Sequence, residues 1–313
     1  MTTCRGCSVR SLRSVSCAVL VVATAIAVTL GTTGAGVDAA LLRVEGDLIE
    51  SQDYGEVLAS SRSQSIDFWD LPGFTRSHYA ADHALVTPES RVFAGMPGWT
   101  NALTAHLVSR AKGANFVMFL ADMQANSSAT SPAAGTERLI FILDGVLQLN
   151  YDKHSIALHS DDFAYLPAHV PHSLQSSLGA GVLIFERAYG IQGGKAEVLI
   201  GSTSKQPVLD ASPEIFTLRK LLPQTGDYDF NVHIMDFRPG EYLYVKEVHY
   251  NQHGLLLLQG QGIYRLADQW YPVQAGDAIW MAPYVVQWYA ALGQKSSRYI
   301  LYKDTTLDPL IAT

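Results

Sequence analysis

The sequence predicts an all-β chain folded as two tandem jelly-roll barrels, and three observations carry that reading. Beyond residue 60, short apolar runs recur between turn signals, the mark of strands joined by tight connections. Few segments keep the period of an amphipathic helix. The chain also repeats itself. Gly145 and Gly260, Asp162 and Asp277, and His172 and Gln287 are each 115 residues apart, with apolar strands between them.

In chain order, the first half offers strands over 115–120, 138–143 and 146–151. Leu139–Gly145 leads into a hairpin, then Asp162–Pro167, then His172, then a strand over 182–185. The second half repeats the plan, with strands over 254–258, 262–266, 278–281 and 298–302. Gly145 and Gly260 stand where a buried strand ends and a tight turn needs positive φ. Asp162 and Asp277 open strands, where a short carboxylate can bond turn backbone. A connection with Gly193-Gly194 runs from about Tyr189 to Pro207. The division expected is residues 1–39 as a signal peptide, 40–205 as an N-terminal barrel without metal, and 206–313 as a C-terminal barrel with a metal site.

Composition bounds the function. A chain of 313 residues, 48% hydrophobic and 16% charged, has core material for two ordinary domains. Its net charge of -7, with no basic block beyond the N-terminus, argues against nucleic acid as a partner. Arg5, Arg10 and Arg13 precede an apolar run from Cys17 to Leu30 and then small residues from Gly31 to Ala40. That order reads as a secretory signal cut near Ala39, leaving no membrane segment afterwards. An uncleaved anchor and an organellar transit peptide are the other readings. The three cysteines, Cys4, Cys7 and Cys17, all fall in this segment, so the mature chain has no disulfide and no thiolate ligand. One glycosylation sequon, Asn126-Ser127-Ser128, reads as part of an exposed loop.

The chemistry lies in the second half. Glu247 and His249 are two apart and would share one face of a strand. Tyr250-Asn251-Gln252 makes a turn, His253 opens the next strand, and Gln287 arrives from a hairpin arm. A lone histidine would most simply be a satisfied core residue, but four potential ligands from three strands point to one metal. Two oxygen and two nitrogen donors suit Mn²⁺ better than Zn²⁺ or Cu²⁺. The same positions 115 residues earlier are Pro132, Ala134, Arg138 and His172. Only His172 could ligate there, so it is expected to cap or hydrogen-bond. In the last strand Tyr299 and Lys303 share a face, and Tyr264 lies on the hairpin after Gly260. If these point inward, the cavity offers a cation and two phenols to a small anionic substrate. If not, Lys303 is a surface charge.

The Glu247, His249, His253, Gln287 spacing resembles the metal motif of the cupin superfamily with its ligand types permuted. Longer stretches are similar to the (S)-ureidoglycine aminohydrolases, bicupins of purine and allantoin degradation, in their plant and algal form. These stretches are Asp70-Leu-Pro-Gly-Phe-Thr-Arg-Ser77, Asp82-His-Ala-Leu-Val-Thr-Pro-Glu-Ser90, Lys246-Glu-Val-His-Tyr-Asn-Gln-His-Gly254, Gln269-Trp-Tyr-Pro-Val-Gln-Ala-Gly-Asp277 and Gln287-Trp-Tyr-Ala-Ala-Leu-Gly293. The likeness runs from about residue 65 to the end and leaves out the signal region and the segment 123–135. It implies Mn²⁺ held by Glu247, His249, His253 and Gln287. It also implies release of ammonia from (S)-ureidoglycine to give (S)-ureidoglycolate. Glu247 and Lys303 would be catalytic, and Tyr264, Tyr299 and Gln287 would bind the substrate. A homo-oligomer, an octamer, working in the endoplasmic reticulum is implied as well. A metal-dependent cupin oxidase or dioxygenase and a non-catalytic storage-type bicupin are the alternative readings.

Overall fold

The computed structural model describes residues 75–305, together with Tyr54 and Val57. The expected signal peptide and all three cysteines lie outside the described residues. In chain order the strands are β1 (His78–Tyr79), β2 (His83–Val86), β3 (Trp99–Val108), β4 (Val117–Thr130), β5 (Thr136–Tyr151), β6 (His154–His159), β7 (Asp162–Leu166), β8 (His172–Ser176) and β9 (Ala180–Ala188). They continue with β10 (Leu199–Ser202), β11 (Thr217–Lys220), β12 (Phe230–Phe237), β13 (His253–Gln259), β14 (Gln261–Leu266), β15 (Gln269–Gln274), β16 (Ala278–Met281), β17 (Gln287–Leu292) and β18 (Ser297–Asp304).

The first barrel is an eight-stranded sheet ordered β10-β7-β5-β8-β4-β3, with β6 paired to β5 and β9 paired to β4 and β5. The second barrel sets a seven-stranded sheet, β1-β2-β16-β13-β18-β12-β11, against a three-stranded one, β15-β14-β17. The chain is thus the all-β, two-barrel fold that its pattern predicts. One pairing runs against chain order. β2 joins β16, with Ala84 opposite Trp280 and His83 opposite Met281, so an early segment lies in the second barrel's sheet.

Residue alternation builds three cores. Ile140, Ile142, Phe119, Val182 and Ile184 fill the first barrel. Leu255, Leu257, Met235, Phe237, Ile279, Met281, Tyr299 and Leu301 fill the second. The intervening residues, Leu139, Phe141, Leu143 and Phe185 from one barrel and Leu256, Leu258, Val232, Ile234 and Ile300 from the other, form a third core between them. Strands buried on both faces read as continuous apolar runs, which is why Leu139–Leu143 and Leu255–Leu258 carry no polar residue.

Gly145 and Gly260 both have φ of 75°, as expected, but they mark corners where a strand passes from one pairing to the next. β5 runs on through Gly145, while β13 and β14 on either side of Gly260 belong to different sheets. Asp162 and Asp277 act alike: each accepts from the amide three residues earlier, His159 or Gln274, at 2.9 Å. The Asn126 sequon lies in β4, not in a loop. Asn126 has φ of 58°, and beyond it β4 leaves β9 and pairs with β8. Asn126 is exposed on that kinked strand, while Ser127 is buried. Among the described residues no helix is long and apolar enough to cross a membrane.

Candidate metal centre and active site

The segment between β12 and β13 carries Glu247 and His249, and it is not the regular strand that their spacing suggested. Gly240, with φ of 86°, turns the chain out of β12. From there to β13 the backbone is irregular, pinned by single bridges from Tyr242 to Ala290 and from Glu247 to Gln287. At the second bridge the two residues exchange amide-to-carbonyl bonds of 2.9 Å in both directions. The Tyr284 amide bonds the His249 carbonyl at 2.6 Å. The backbone therefore brings Glu247 and Gln287, 40 residues apart, side by side.

Their side chains meet. Glu247 Oε2 is 3.2 Å from His249 Nε2 and 3.2 Å from Gln287 Nε2. Gln287 Oε1 accepts from the Tyr264 hydroxyl at 2.9 Å. His253 opens β13 and is buried, with its ring centroid 5.2 Å from that of His249. Its Nδ1 lies 3.1 Å from the Asn251 carbonyl. That bond places the ring proton on Nδ1 and leaves the Nε2 lone pair free. Burial, with Lys303 and His249 adding to it, holds the His253 imidazole well below the ordinary histidine range, so it is neutral.

The residues fit a divalent cation by donor type: two imidazoles, a carboxylate and an amide oxygen are ligands that such an ion takes. As placed, Gln287 turns its amide nitrogen to Glu247. A phenol both donates and accepts, so turning the amide over keeps the Tyr264 bond and offers an oxygen instead. Among the described residues no group of three or more His, Cys, Asp and Glu side chains stands arranged to hold a metal ion. The structure brings Glu247, His249 and Gln287 into contact and stations His253 beside His249.

The expected pocket residues lie around this group. Tyr264 and Tyr299 are buried in the second barrel's core. Burial, then neighbouring charge or phenol groups, raises both phenols well above their ordinary range, so they serve as hydrogen-bond donors. Lys303 lies directly opposite His253 in the β13–β18 ladder, on the inward face shared by Tyr299 and Leu301. Burial lowers its pKa, Glu247 opposes that, and Lys220 adds to it. Two residues of the same rim escaped the sequence reading. They are Lys220 on β11 and His233 on β12, directly opposite one another. A burial-driven shift takes His233 down to about 3, with Lys220, Lys303 and His249 contributing. Neither residue has ligand spacing to any other; their strand parity was the one available signal.

In the first barrel a guanidinium stands where the sequence offset places a ligand. Arg138 is buried, donates to Glu186 Oε1 at 2.6 and 2.8 Å, and to the Thr130 carbonyl at 2.9 Å. Its Nη1 is also 3.1 Å from His172 Nε2. His172 Nδ1 meets the Val170 carbonyl at 2.9 Å, so both ring nitrogens are engaged. Burial takes this histidine down to about 4, with Arg138 pushing the same way and the Val170 carbonyl opposing.

The chain has named relatives and solved structures of the same fold. No protein-family model matches the chain. The (S)-ureidoglycine aminohydrolase of Arabidopsis thaliana is 58% identical over 243 residues, covering 77% of this chain and 82% of the relative. The crystal structure of protein Ylba from E. coli, of family DUF861, superposes with a TM-score of 0.67 at 26% identity, over 75% of this chain and 96% of that one. Oxalate decarboxylase of Bacillus subtilis, a protein with Mn(II) centres, shares the fold at a TM-score of 0.57 and 10% identity, over 73% of this chain and 79% of that one. With the two-barrel fold and this degree of identity together, the chain belongs to the (S)-ureidoglycine aminohydrolase family of cupin proteins.

Proposed function

We propose that the protein is a manganese-dependent hydrolase that releases ammonia from (S)-ureidoglycine and yields (S)-ureidoglycolate. The observation that carries this reading is the joint placement of Glu247, His249 and Gln287 in contact, with His253 and Lys303 beside them. Relatives that bear the name of this activity support it. The mixed oxygen and nitrogen donor set favours Mn²⁺.

Bound by Glu247, His249, His253 and Gln287, the ion would supply a Lewis acid and a template for the substrate's carboxylate and amine. The protein's own groups do the rest. Lys303 pairs with the carboxylate. Tyr264 and Tyr299, kept protonated by burial, donate to the ureido group. Glu247 carries a proton from the ureido nitrogen to the departing amine. The carbon–nitrogen bond breaks, ammonia leaves, and a planar acylimine-like carbon remains. Water adding from one face gives its oxygen to that carbon and a proton to the nitrogen, so one enantiomer forms.

The direct test converts allantoate enzymatically to ureidoglycine and follows ammonia with added protein. Ammonia release that depends on Mn²⁺ and consumes no oxygen is the expected result; oxygen uptake would turn the reading toward an oxidase. Replacing Lys303→Met keeps the side chain's bulk and removes its charge. The variant should retain its metal and lose at least ~100-fold in turnover, the scale of a lost electrostatic contact in an active site. Turnover at the wild-type rate would assign the carboxylate to another group. The reading includes cleavage near Ala39, residence in the endoplasmic reticulum and assembly as a homo-octamer. The mass of the mature N-terminus, cell fractionation and light scattering test these in turn.

A further inference from the structure

Four polar groups share the inward face at one rim of the second barrel, in adjacent strands. Lys220 on β11 is opposite His233 on β12. Lys303 on β18 is opposite His253 on β13, and His233 is opposite Leu301, two residues from Lys303. Their strand parity fixes which way they face. Leu218 packs on the second barrel's core, and Met235, Leu301 and Leu255 belong to it; each is two residues from one of the four. Lys220 and Lys303 thus flank His233 on one side of the sheet. Neither is fully exposed, and among the described residues neither has an ion-pair partner. Glu247 is the carboxylate that acts on Lys303, whereas burial alone dominates at Lys220. Two half-buried ammonium groups on one face of a sheet are costly unless an anion serves both.

We infer that Lys220 is a second cation for the substrate's carboxylate, placed across His233 from Lys303, and that it selects acids over their amides. This rests on the proposed reaction for the identity of the substrate, but its geometry is that of the β11–β12–β18 ladder. Lys303 adjoins His253 and the ligand group. Lys220 lies two strands further out, beyond β12, where it holds the end of the molecule that does not react. Its loss should therefore weaken binding far more than it slows chemistry.

The test uses N-carbamoylglycine, which keeps the ureido group and carboxylate of the substrate and lacks the amine, and its carboxamide N-carbamoylglycinamide. Calorimetry on the Mn²⁺-loaded protein should show that Lys220→Met binds the acid about thirtyfold more weakly than the unaltered chain, the scale of removing one partner of a desolvated charge pair. Lys220→Arg should stay within about threefold, and the amide should bind both variants and the unaltered chain alike. In ammonia release, Lys220→Met should raise KM by a similar factor and leave kcat within about threefold. Equal acid binding by the unaltered chain and Lys220→Met, or equal weakening toward acid and amide, overturns the inference. So does failure of the unaltered chain to bind the acid. If the unaltered chain binds the acid but releases no ammonia from ureidoglycine, the proposed reaction falls, while the calorimetry still decides the role of Lys220.

Discussion

Between the two barrels, three of the four ligand positions hold a non-ligand in the first, and at one of them a cation stands in the protein itself. Position 253 is a histidine whose Nε2 is free, and its counterpart 115 residues earlier is Arg138. A guanidinium has five donors and no lone pair, so it can replace a cation but cannot bind one. It does so here, with Glu186, Thr130 and His172 as its acceptors. Removing it should leave the Glu186 carboxylate without its ion-pair partner and His172 Nε2 without a donor, in a largely buried setting. Arg138→Met is expected to cost about 3 kcal/mol of stability, read from the denaturant midpoint, while metal content and turnover stay unchanged. Loss of metal from that variant would show that the first barrel's polar core supports the site in the second. This contrast was legible in the sequence because ligand types are discrete and the offset is constant. What Arg138 does was not, since Glu186 and Thr130 reach it only through strand pairing. Lys220 and His233 escaped for the same reason: a cation at no motif spacing acquires meaning only when the sheet order is known.

At the scale of elements, the pattern of strands and turns carried most of the fold, and the crossing of β2 did not show. Nothing local in His83–Val86 says that its partner is β16, almost 200 residues later; the contacts that hold it there are long-range. Arg76 grips Asp277 with two bonds of 2.8 Å, and His83 Nε2 meets the Tyr271 hydroxyl at 2.8 Å. The loop that carries Glu247 and His249 also read as a strand, because spacing alone does not separate a strand from an irregular segment held by single bridges. The glycines were easier to read, and two of them now separate. Gly240 and Gly260 both have positive φ, at 86° and 75°. A methyl group at Gly240 would meet nothing within 4 Å, whereas at Gly260 it would come within 2.5 Å of the Ser296 carbonyl oxygen. Gly240→Ala should therefore cost only the left-handed backbone, about 1–2 kcal/mol. Gly260→Ala should add overpacking against backbone, for a total of roughly 3–5 kcal/mol. Urea unfolding of the two variants checks the order; equal losses would mean that the β13–β14 corner relaxes freely.

Across the whole molecule, the core between the barrels is built of apolar residues and encloses a cluster of buried charged groups. Arg187 Nη1 donates to Asp304 Oδ1 at 2.5 Å and to the Tyr302 hydroxyl at 3.0 Å, and its Nε is 3.5 Å from Asp229 Oδ2. Glu137, fully buried, accepts from the Tyr165 hydroxyl at 2.5 Å. Its other oxygen and Asp229 Oδ1 are both buried with no hydrogen-bond partner among the described residues. One guanidinium stands among three carboxyls, and Glu137 is the one that keeps its proton. Burial first, then Asp229, pushes the Glu137 carboxyl up to about 10, from 4.5 for an unhindered side chain, with Tyr165 and Arg187 opposing. Between those values the folded chain holds a proton that the unfolded chain has released. Stability contributed by this group is therefore complete below about pH 4.5 and declines as pH rises toward 10, by at most ~1.4 kcal/mol per pH unit. Glu137→Gln has nearly the same shape and cannot lose that proton. Its amide donates to Asp229 at every pH. The expected result is that the stability of the unaltered chain falls relative to the variant as pH is raised from 6 to 9, measured by denaturant unfolding at each pH. A constant difference between the two across that range would mean that Glu137 is ionised in the folded protein and that Arg187 serves all three carboxylates.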